Sequence, residues 1–306
     1  MTLGDSSSVG RVADLPANLA AVDRAFGHEG IGQGTVALRP LVGGTHAATW
    51  LVVVEELGSE AVLREFPAGD DSVAWEAHVL QKLDGLNGLA PRLLAEGVND
   101  PIPWLLLSRL PGKADITSGE PEVVAAELGR ALSTVHRVRA DQLGPFRNVY
   151  EMPGGGLESL SGPVASNVED SWQRINCEPR VLTHYDFWSG NVVWDAHRLS
   201  GIVDWNHGSL GPRGFDVGWC RLDLYLLYGE EIADLFLHSY EAAFGEGLSD
   251  PPLWDLWAVA RSDDAVHTWV PNYLDLARPD LTAEVLRQRH REWTDSSLKR
   301  AGQLSG

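Results

Sequence analysis

Three polar residues in one short stretch of the sequence are of the types that handle phosphate groups. Asp186 and Asn191 belong to the segment HYDFWSGN at residues 184–191, and Asp204 follows two short apolar runs later. Amide and carboxylate oxygens are hard ligands that suit Mg²⁺, which in proteins often bridges to substrate phosphates. A further carboxylate can orient an attacking hydroxyl and accept its proton. The three residues therefore indicate phosphoryl transfer to a hydroxyl group.

A β-hairpin is the element that must position two of these residues. Residues 192–194 and 201–203 are apolar, and the polar residues 195–200 join them, which predicts a pair of antiparallel strands. Symmetric pairing places Asn191 opposite Asp204, where facing Cβ atoms lie about 4.5–5.5 Å apart. Asp186 lies in the preceding loop and is expected near the same end of the hairpin. Each residue alone could equally be a turn cap or a strand end.

The segment at residues 184–191 resembles the H-x-D-x-x-x-x-N catalytic loop of the aminoglycoside phosphotransferase family, whose relatives include choline kinase and, more distantly, protein kinases. Ile202, Asp204 and Trp205 match the I-x-D-W metal segment of that family. The resemblance extends over nearly the whole chain from about residue 38. It implies that Asp186 is the catalytic base and that Asn191 and Asp204 hold Mg²⁺.

The resemblance also implies supporting residues. It makes Asp216 an aspartate that props the catalytic loop, whereas by itself Asp216 could be a helix cap. We expect His184 to be structural rather than a metal ligand, because no second His or Cys accompanies it at ligand spacing. Tyr185 and Trp188 are bulkier than the residues common in the family loop, which bears on the identity of the acceptor.

The order of the elements predicts a small antiparallel β-sheet followed by a mainly helical part, and the resemblance implies that these form an α+β, two-lobed, protein-kinase-like fold. Residues 1–110 are expected to form an amino-terminal nucleotide-binding lobe with an extension, helical at residues 15–26, and a small antiparallel β-sheet. Its strands are predicted at residues 36–41, 49–57, 61–66 and 104–110, with a helix at 74–83. Residues 111–306 follow the Pro111-Gly112 breaker and are expected to be mainly helical, starting with a helix at 123–138, and to carry the catalytic loop and the acceptor site.

The resemblance implies nucleotide contacts in the first lobe. The turn at Gly43, Gly44 and Thr45 would approach phosphate oxygens, although a plain hairpin turn fits these residues too. Arg64 stands where the family has a strand lysine, since the chain has no lysine before Lys82. Further implied residues are the helix glutamate Glu76, which would pair with Arg64, and the hinge residues Ser108 and Leu110, whose backbone would bind the base of ATP or GTP.

The charge balance restricts the partners. The 306 residues contain 24 Lys and Arg against 43 Asp and Glu, a formal charge of −19, which disfavours nucleic acid. No apolar run approaches the length of a membrane span, so we expect a cytoplasmic protein. Several acidic residues of the second lobe would suit a cationic acceptor, and an aminoglycoside-type antibiotic is the favoured small molecule. These residues are Asp223, Glu230, Glu231, Asp263 and Asp264.

Other functions remain open from the sequence alone. The acceptor could be a macrolide, an amino alcohol or a sugar instead of an aminoglycoside. Because the expected lysine is missing, the chain could also be a nucleotide-binding module without catalytic activity. A metal-dependent hydrolase that uses His184, Asp186 and Asp204 is a third alternative, against which the lack of further His residues at ligand spacing counts.

Overall fold

A computed structural model of the protein describes residues 36–41, 47–54, 59–99, 101–114, 119–151 and 156–304. The chain divides into two compact units, Met1–Leu110 and Pro111–Gly306. The predicted helical stretch at residues 15–26 and the turn at Gly43, Gly44 and Thr45 lie outside the described residues. Within the described parts of the chain, no helix is both long and apolar enough to cross a membrane.

The first unit is built on one antiparallel sheet. Its strands are β1 (Val36–Pro40), β2 (Ala48–Val54), β3 (Ser59–Glu65), β4 (Leu93–Asn99) and β5 (Ile102–Ser108), in the spatial order β1-β2-β3-β5-β4. Alternate side chains of β2, β3 and β5 point to one face, where Val52, Leu63 and Leu106 are buried in a common core. The predicted small antiparallel sheet is thereby confirmed.

Strand β4 is a strand of the first unit that the sequence analysis did not predict. Its residues, LLAEGVN, include Ala, Glu and Gly, which are depleted in strands, and they lack a regular alternation of apolar and polar types. The strand forms because β5 offers it an edge, and the register shifts between Leu93 and Ala95. Helix α1 (Ser72–Leu83) lies against β4 and β5 and buries Val79 and Leu80.

The second unit is mainly helical. Its helices are α2 (Pro121–His136), α3 (Ala140–Leu143), α4 (Ala165–Asn176), α5 (Gly214–Tyr228), α6 (Glu230–Phe244), α7 (Pro251–Ser262), α8 (Val270–Asp275) and α9 (Ala283–Leu304). Two small antiparallel pairs complete the unit: β6 (Arg180–Thr183) with β9 (Ser209–Pro212), and β7 (Val192–Asp195) with β8 (Arg198–Ile202). Together, the sheet of the first unit and the helices of the second confirm the predicted α+β, kinase-like fold.

Helix α5 lies at the centre of the second unit and packs against α6 and α7. A Cβ atom at Gly218 would lie only 2.5 Å from the carbonyl oxygen of Trp254, so this close approach of α5 to α7 requires glycine. Arg221 of α5 is 2% exposed and reaches Asp255 of α7, with 2.8 Å between Nε and Oδ1. The close approach of Gly218 to the backbone of Trp254 and the buried ion pair of Arg221 with Asp255 therefore fix α5 against α7.

The predicted breaker at Pro111-Gly112 has a specific structural role. Gly112 has a φ of 92°, and a Cβ atom there would lie 2.0 Å from the carbonyl oxygen of Trp194 in β7. Lys113 and Trp194 exchange two backbone hydrogen bonds of 3.0 and 2.8 Å. The start of the second unit is thus attached to the hairpin that follows the predicted catalytic loop.

Candidate active site

The loop at residues 184–191 connects β6 to the β7–β8 hairpin. In that hairpin Val192 pairs with Ile202 and Val193 with Gly201. The ladder continues by one bond, from the amide of Val203 to the carbonyl oxygen of Asn191 at 2.9 Å. Asn191 therefore faces Val203, and the prediction that it faces Asp204 is wrong by one residue.

The turn and a bulge together explain the difference in register. Asp195 pairs with Arg198, so the turn is shorter than the predicted one at residues 195–200 and by itself would place Asn191 opposite Ile202; the bulge moves the pairing by one residue, to Val203. Trp194 pairs with Leu199 and Val193 pairs with Gly201, so Ser200 is the extra residue on its strand. The hydroxyl of Ser200 donates a hydrogen bond of 3.0 Å to the carbonyl oxygen of Val193. Symmetric pairing of two apolar runs cannot show where such an insertion lies.

The carboxylate of Asp186 is oriented by two side chains. Asn191 donates from Nδ2 to the backbone carbonyl of Asp186 at 2.8 Å and to its Oδ2 at 3.0 Å. Trp219 of α5 donates from its indole nitrogen to Oδ1 at 3.2 Å. Asp186 itself is half-buried, so its carboxylate is fixed by neutral donors and still open to a small molecule.

Asp204 follows the hairpin at a sharp change of chain direction. Its backbone is left-handed, with a φ of 66°, and a short 3₁₀ turn at Trp205–His207 begins directly after it. His184 donates from Nε2 to the carbonyl oxygen of Val203 at 2.9 Å, which gives this histidine a structural contact beside Asp204. Such a backbone is uncommon for a residue other than glycine and is often found at functional sites.

The donors available for a metal are of the right chemical type. The hydrogen bonds of Asn191 to Asp186 use the amide nitrogen, so the amide oxygen is the atom left to act as a ligand. Together with the carboxylate of Asp204 it forms the hard oxygen set that Mg²⁺ takes alongside water and phosphate. In the described part of the chain, no group of three His, Cys, Asp or Glu side chains is arranged to hold a metal ion.

The backbone of the loop is anchored by a buried carboxylate. Asp216 of α5 accepts hydrogen bonds from the amides of His184 at 2.7 Å and Tyr185 at 2.6 Å. The same carboxylate lies 3.1 Å from Nε2 of His136, whose Nδ1 is 2.8 Å from the hydroxyl of Tyr240. Burial lowers the pKa of His136, so this histidine is neutral at pH 7 and donates to Asp216 while it accepts from Tyr240.

A second carboxylate of α5 holds the other end of the loop. Asp223 accepts hydrogen bonds from the amide and the hydroxyl of Ser189, at 3.0 and 2.6 Å, and from the hydroxyl of Tyr273 at 3.1 Å. Burial raises the pKa of Asp223 to about 6. Asp223 is 4% exposed and its carboxylate already accepts these three hydrogen bonds, so the structure does not favour the predicted role of Asp223 in a site for a cationic acceptor.

Asp216, Trp219 and Asp223 recur at i, i+3 and i+7, which places them on one face of α5. This face supports the loop from the backbone of His184 to the backbone of Ser189 and also contacts the carboxylate of Asp186. The sequence analysis singled out only Asp216 for this role. The helical spacing of three polar or aromatic residues was the signal that could have revealed the other two.

Two of the other acidic residues suggested for a cationic acceptor have neighbours outside the loop at residues 184–191. Glu230 forms an ion pair with Arg300 and accepts a hydrogen bond of 2.9 Å from Ser296. Asp263 lies 4.0 Å from Nδ1 of His290, whose pKa is lowered by burial. The ion pair of Glu230 uses part of the negative charge that the sequence suggested for a cationic acceptor.

The predicted nucleotide residues of the first unit that the structure describes lie on β3, α1 and β5. Arg64 forms an ion pair with Glu76, which is 1% exposed, and its guanidinium group lies 4.9 Å from the centre of the Phe66 ring. The amide of Ser108 donates to the carbonyl oxygen of Arg92 at 2.9 Å. A nucleotide base would therefore have to use other backbone groups of residues 108–110, which include Leu110.

Comparison with known proteins places this geometry in context. The sequence matches the model of the phosphotransferase enzyme family over residues 37–154 and 160–257. No curated protein sequence matches the chain.

The fold is similar to those of several solved structures. A thermostable mutant of the aminoglycoside phosphotransferase APH(4)-Ia, in ternary complex with AMP-PNP and hygromycin B, is 16% identical, with a TM-score of 0.58 over 89% of this chain and 97% of that one. The macrolide 2'-phosphotransferase MphH from Brachybacterium faecium is 16% identical, with a TM-score of 0.57 over 88% and 98% of the two chains. Choline kinase from Cryptosporidium parvum is 13% identical, with a TM-score of 0.58 over 94% and 96%.

Proposed function

The chain belongs to the phosphotransferase enzyme family, and from that premise we propose that it transfers the γ-phosphoryl group of ATP to a hydroxyl group of a small molecule. The observation that carries the proposal is the placement of Asp186. Asp186 is half-buried and its carboxylate is held by Asn191 and Trp219, in a loop whose backbone is anchored on α5. Phosphoryl transfer needs such a positioned carboxylate more than it needs covalent chemistry from the protein.

Asp186 is the proposed general base. The acceptor hydroxyl donates its proton to Asp186 as its oxygen forms a bond to the γ-phosphorus. The bond from that phosphorus to the bridging oxygen breaks, and ADP leaves with the electron pair. Asn191 and Trp219 fix the direction of the carboxylate, so little reorientation is needed at the moment of transfer.

Asn191 and Asp204 are the proposed ligands of Mg²⁺, and their oxygen atoms suit that ion. When bound, the ion would supply positive charge against the phosphate oxygens. In the first unit Arg64, oriented by Glu76, is proposed to steady the phosphates of ATP or GTP. Arginine does this as a planar fork rather than as the compact charge of lysine.

The remaining contacts to the nucleotide are proposed from the family resemblance. Gly43, Gly44 and Thr45 would approach the phosphates, and the backbone near Ser108 and Leu110 would meet the base. The solved neighbours with ADP or AMP-PNP support a nucleotide as the donor. The proposed use of ATP goes with a cytoplasmic location.

The acceptor is proposed at the level of a hydroxylated small molecule. An aminoglycoside-type antibiotic was favoured by the sequence, and a neighbour in complex with hygromycin B supports this class. Another neighbour is a macrolide phosphotransferase and a third is a choline kinase, so macrolides and amino alcohols belong in any test, together with sugars.

ADP release in the presence of ATP, Mg²⁺ and each of these acceptors tests the proposal. We expect at least one acceptor to stimulate release, and Asp186→Asn to lower the stimulated rate by about 10²–10⁴-fold, the range typical of a general base. Asp195→Asn is the matched control, because Asp195 is an exposed aspartate at the end of β7 in the neighbouring hairpin. Equal turnover by the Asp186 variant, or nucleotide binding without any turnover, would contradict the proposal.

A further inference from the structure

An arginine of α7 lies against the aromatic residues of the candidate active site. The guanidinium carbon of Arg261 is 4.1 Å from the centre of the Tyr185 ring, 4.8 Å from that of Trp219 and 5.3 Å from that of Trp257. We call these three rings and the guanidinium group the Arg261 cluster. The distances lie within the range at which a cation is attracted to the face of an aromatic ring.

The Arg261 cluster shares two residues with the catalytic loop and its support. Tyr185 directly precedes Asp186, and Trp219 donates its indole hydrogen to the carboxylate of Asp186 at 3.2 Å. Burial lowers the pKa of the nearby His207; the charges of Asp186 and Asp204 oppose this shift, and the charge of Arg261 adds to it. The positive charge of Arg261 is therefore close to the position that the acceptor hydroxyl must take beside Asp186.

Arg261 has a donor that the protein does not use. Its Nη1 atom is buried and has no hydrogen-bond partner, and among the described residues no carboxylate lies within 4.0 Å of its guanidinium group. A buried donor without an acceptor costs about 1–3 kcal/mol. Aromatic faces attract the cation but accept no strong hydrogen bond, so the cluster holds the guanidinium in place. Among the described residues, Nε and Nη2 of Arg261 also have no acceptor, and unlike Nη1 they are not buried, so they are the donors that an oxygen atom from outside the protein can reach.

The charge of the cluster also selects against one class of acceptor. Aromatic faces beside an active site can bind the ammonium groups of a ligand. Here Arg261 already occupies the faces of Tyr185 and Trp219, so a second cation at that place would be repelled. Of the acidic residues suggested for a cationic acceptor, Asp223 is buried against Ser189 and Glu230 pairs with Arg300, and the carboxylate of Asp186 beside Trp219 is engaged by the proposed proton transfer.

We propose that Arg261 binds a carboxylate of the acceptor, and that the acceptor is therefore a small hydroxylated acid. The guanidinium fork matches the geometry of a carboxylate, and such charge-assisted hydrogen bonds are about twice as strong as neutral ones. The inference rests on the proposed phosphotransfer, and it departs from a polycationic aminoglycoside as the acceptor. Arg261 then determines specificity, while Asp186 carries out the proton transfer.

Two sets of probes with matched skeletons and different charges test this inference. The first set is glycerate, glycerol and 3-amino-1,2-propanediol, and the second is gluconate, sorbitol and glucamine. Binding to the full-length protein is followed by tryptophan fluorescence, since two tryptophan rings face the guanidinium group. Kanamycin is added as a polycation, and ADP release is measured in parallel with every probe.

The wild type is expected to bind the acid of at least one set at least about tenfold more tightly than the matching amine. Arg261→Gln should remove this preference, and Arg261→Lys should keep part of it, because lysine retains the charge but not the fork. Arg139→Gln, at an exposed arginine paired with Asp141, is the control and should leave the preference unchanged. Near-ultraviolet circular dichroism of the variants shows whether the aromatic packing has survived.

Several results would overturn the inference. These are a preference for the amines or for kanamycin, an acid preference that Arg261→Gln leaves intact, and the absence of binding by either acid up to tens of millimolar. Turnover of kanamycin without turnover of acids would leave phosphotransfer standing and remove the inference. Acid binding through Arg261 without any ADP release would instead refute the proposed function, and the assignment of an acceptor would fall with it.

Discussion

Two arginines at the interface of α5 and α7 have opposite surroundings. Arg221 donates to Asp255 through Nε and Nη2, to Asp234 at 3.0 Å and to the carbonyl oxygen of Ala233 at 2.9 Å. Arg261 rests on aromatic rings and keeps a buried donor without an acceptor. The two arginines differ in their hydrogen bonds to the protein. A guanidinium group whose donors all have protein acceptors stabilises the fold, whereas one with unused donors can bind a ligand.

Removal of each arginine gives the largest expected contrast. Arg221→Met leaves Asp255, which is 0% exposed, with only its 3.1 Å contact to Arg300, so we expect a loss of about 3 kcal/mol in the free energy of unfolding. Arg261→Met removes ring contacts but no hydrogen bond within the protein, and about 1 kcal/mol is expected. Urea denaturation followed by far-ultraviolet circular dichroism measures both values. An equal loss for the two variants would break the comparison.

The same contrast is expected for two aspartates, with a smaller difference. Asp216→Asn places an amide NH₂ among three donors, the amides of His184 and Tyr185 and the ring of His136, so we expect a loss of about 2 kcal/mol in unfolding free energy. Asp186→Asn affects a half-buried group and should change stability by no more than about 0.5 kcal/mol. Thermal and urea denaturation of both variants provide the measurement, and comparable losses would contradict the division between support and reacting group.

The smallest effect concerns the pH dependence that Asp223 contributes. Burial raises its pKa from 3.8 to about 6, so between these values the folded protein binds this proton more tightly than the unfolded chain does. The contribution of Asp223 to stability is therefore greatest at acidic pH and falls, by at most about 1.4 kcal/mol per pH unit, as the pH rises to 6.

Unfolding free energies of the wild type and of Asp223→Asn, measured between about pH 4 and pH 7, isolate this group. We expect the wild type to lose stability relative to the variant as the pH rises through this range. Other carboxylates titrate in both proteins and cancel in the difference. If the difference in unfolding free energy between the two proteins did not vary with pH, the raised pKa of Asp223 would be contradicted.

Local patterns in the sequence were sufficient for the fold and for the loop itself. Short apolar runs rich in β-branched residues predicted β2 and β3, and the apolar runs on both sides of a polar turn predicted the hairpin after Asn191. The exact pairing within that hairpin depended on the bulge at Ser200, which has no signal in composition or periodicity. Strand β4 depended on an open edge of β5 rather than on its own residues.

Features that depend on tertiary contacts could not be predicted in this way. Asp223 lies in α5 and Asp263 directly after α7, and only the fold shows that the first accepts three hydrogen bonds from Ser189 and Tyr273. Arg261 is 42 positions from Trp219 and further from Tyr185, so nothing in the sequence suggests that these side chains meet. The roles of Asn191, Asp204 and the nucleotide residues stay predictions.

The face of α5 that carries Asp216, Trp219 and Asp223 restricts which sequence changes such a protein can accept. Each residue of an α-helix advances by about 100°, so one insertion or deletion between positions 216 and 223 would turn one anchor away from the loop. A single substitution on this face would remove one contact to the loop, whereas a change in the length of the helix would disturb several of them at once. Substitutions in α7, where only the side chain of Arg261 contacts the loop, can therefore change the acceptor preference. Asp186 and the residues that hold it would then stay the same.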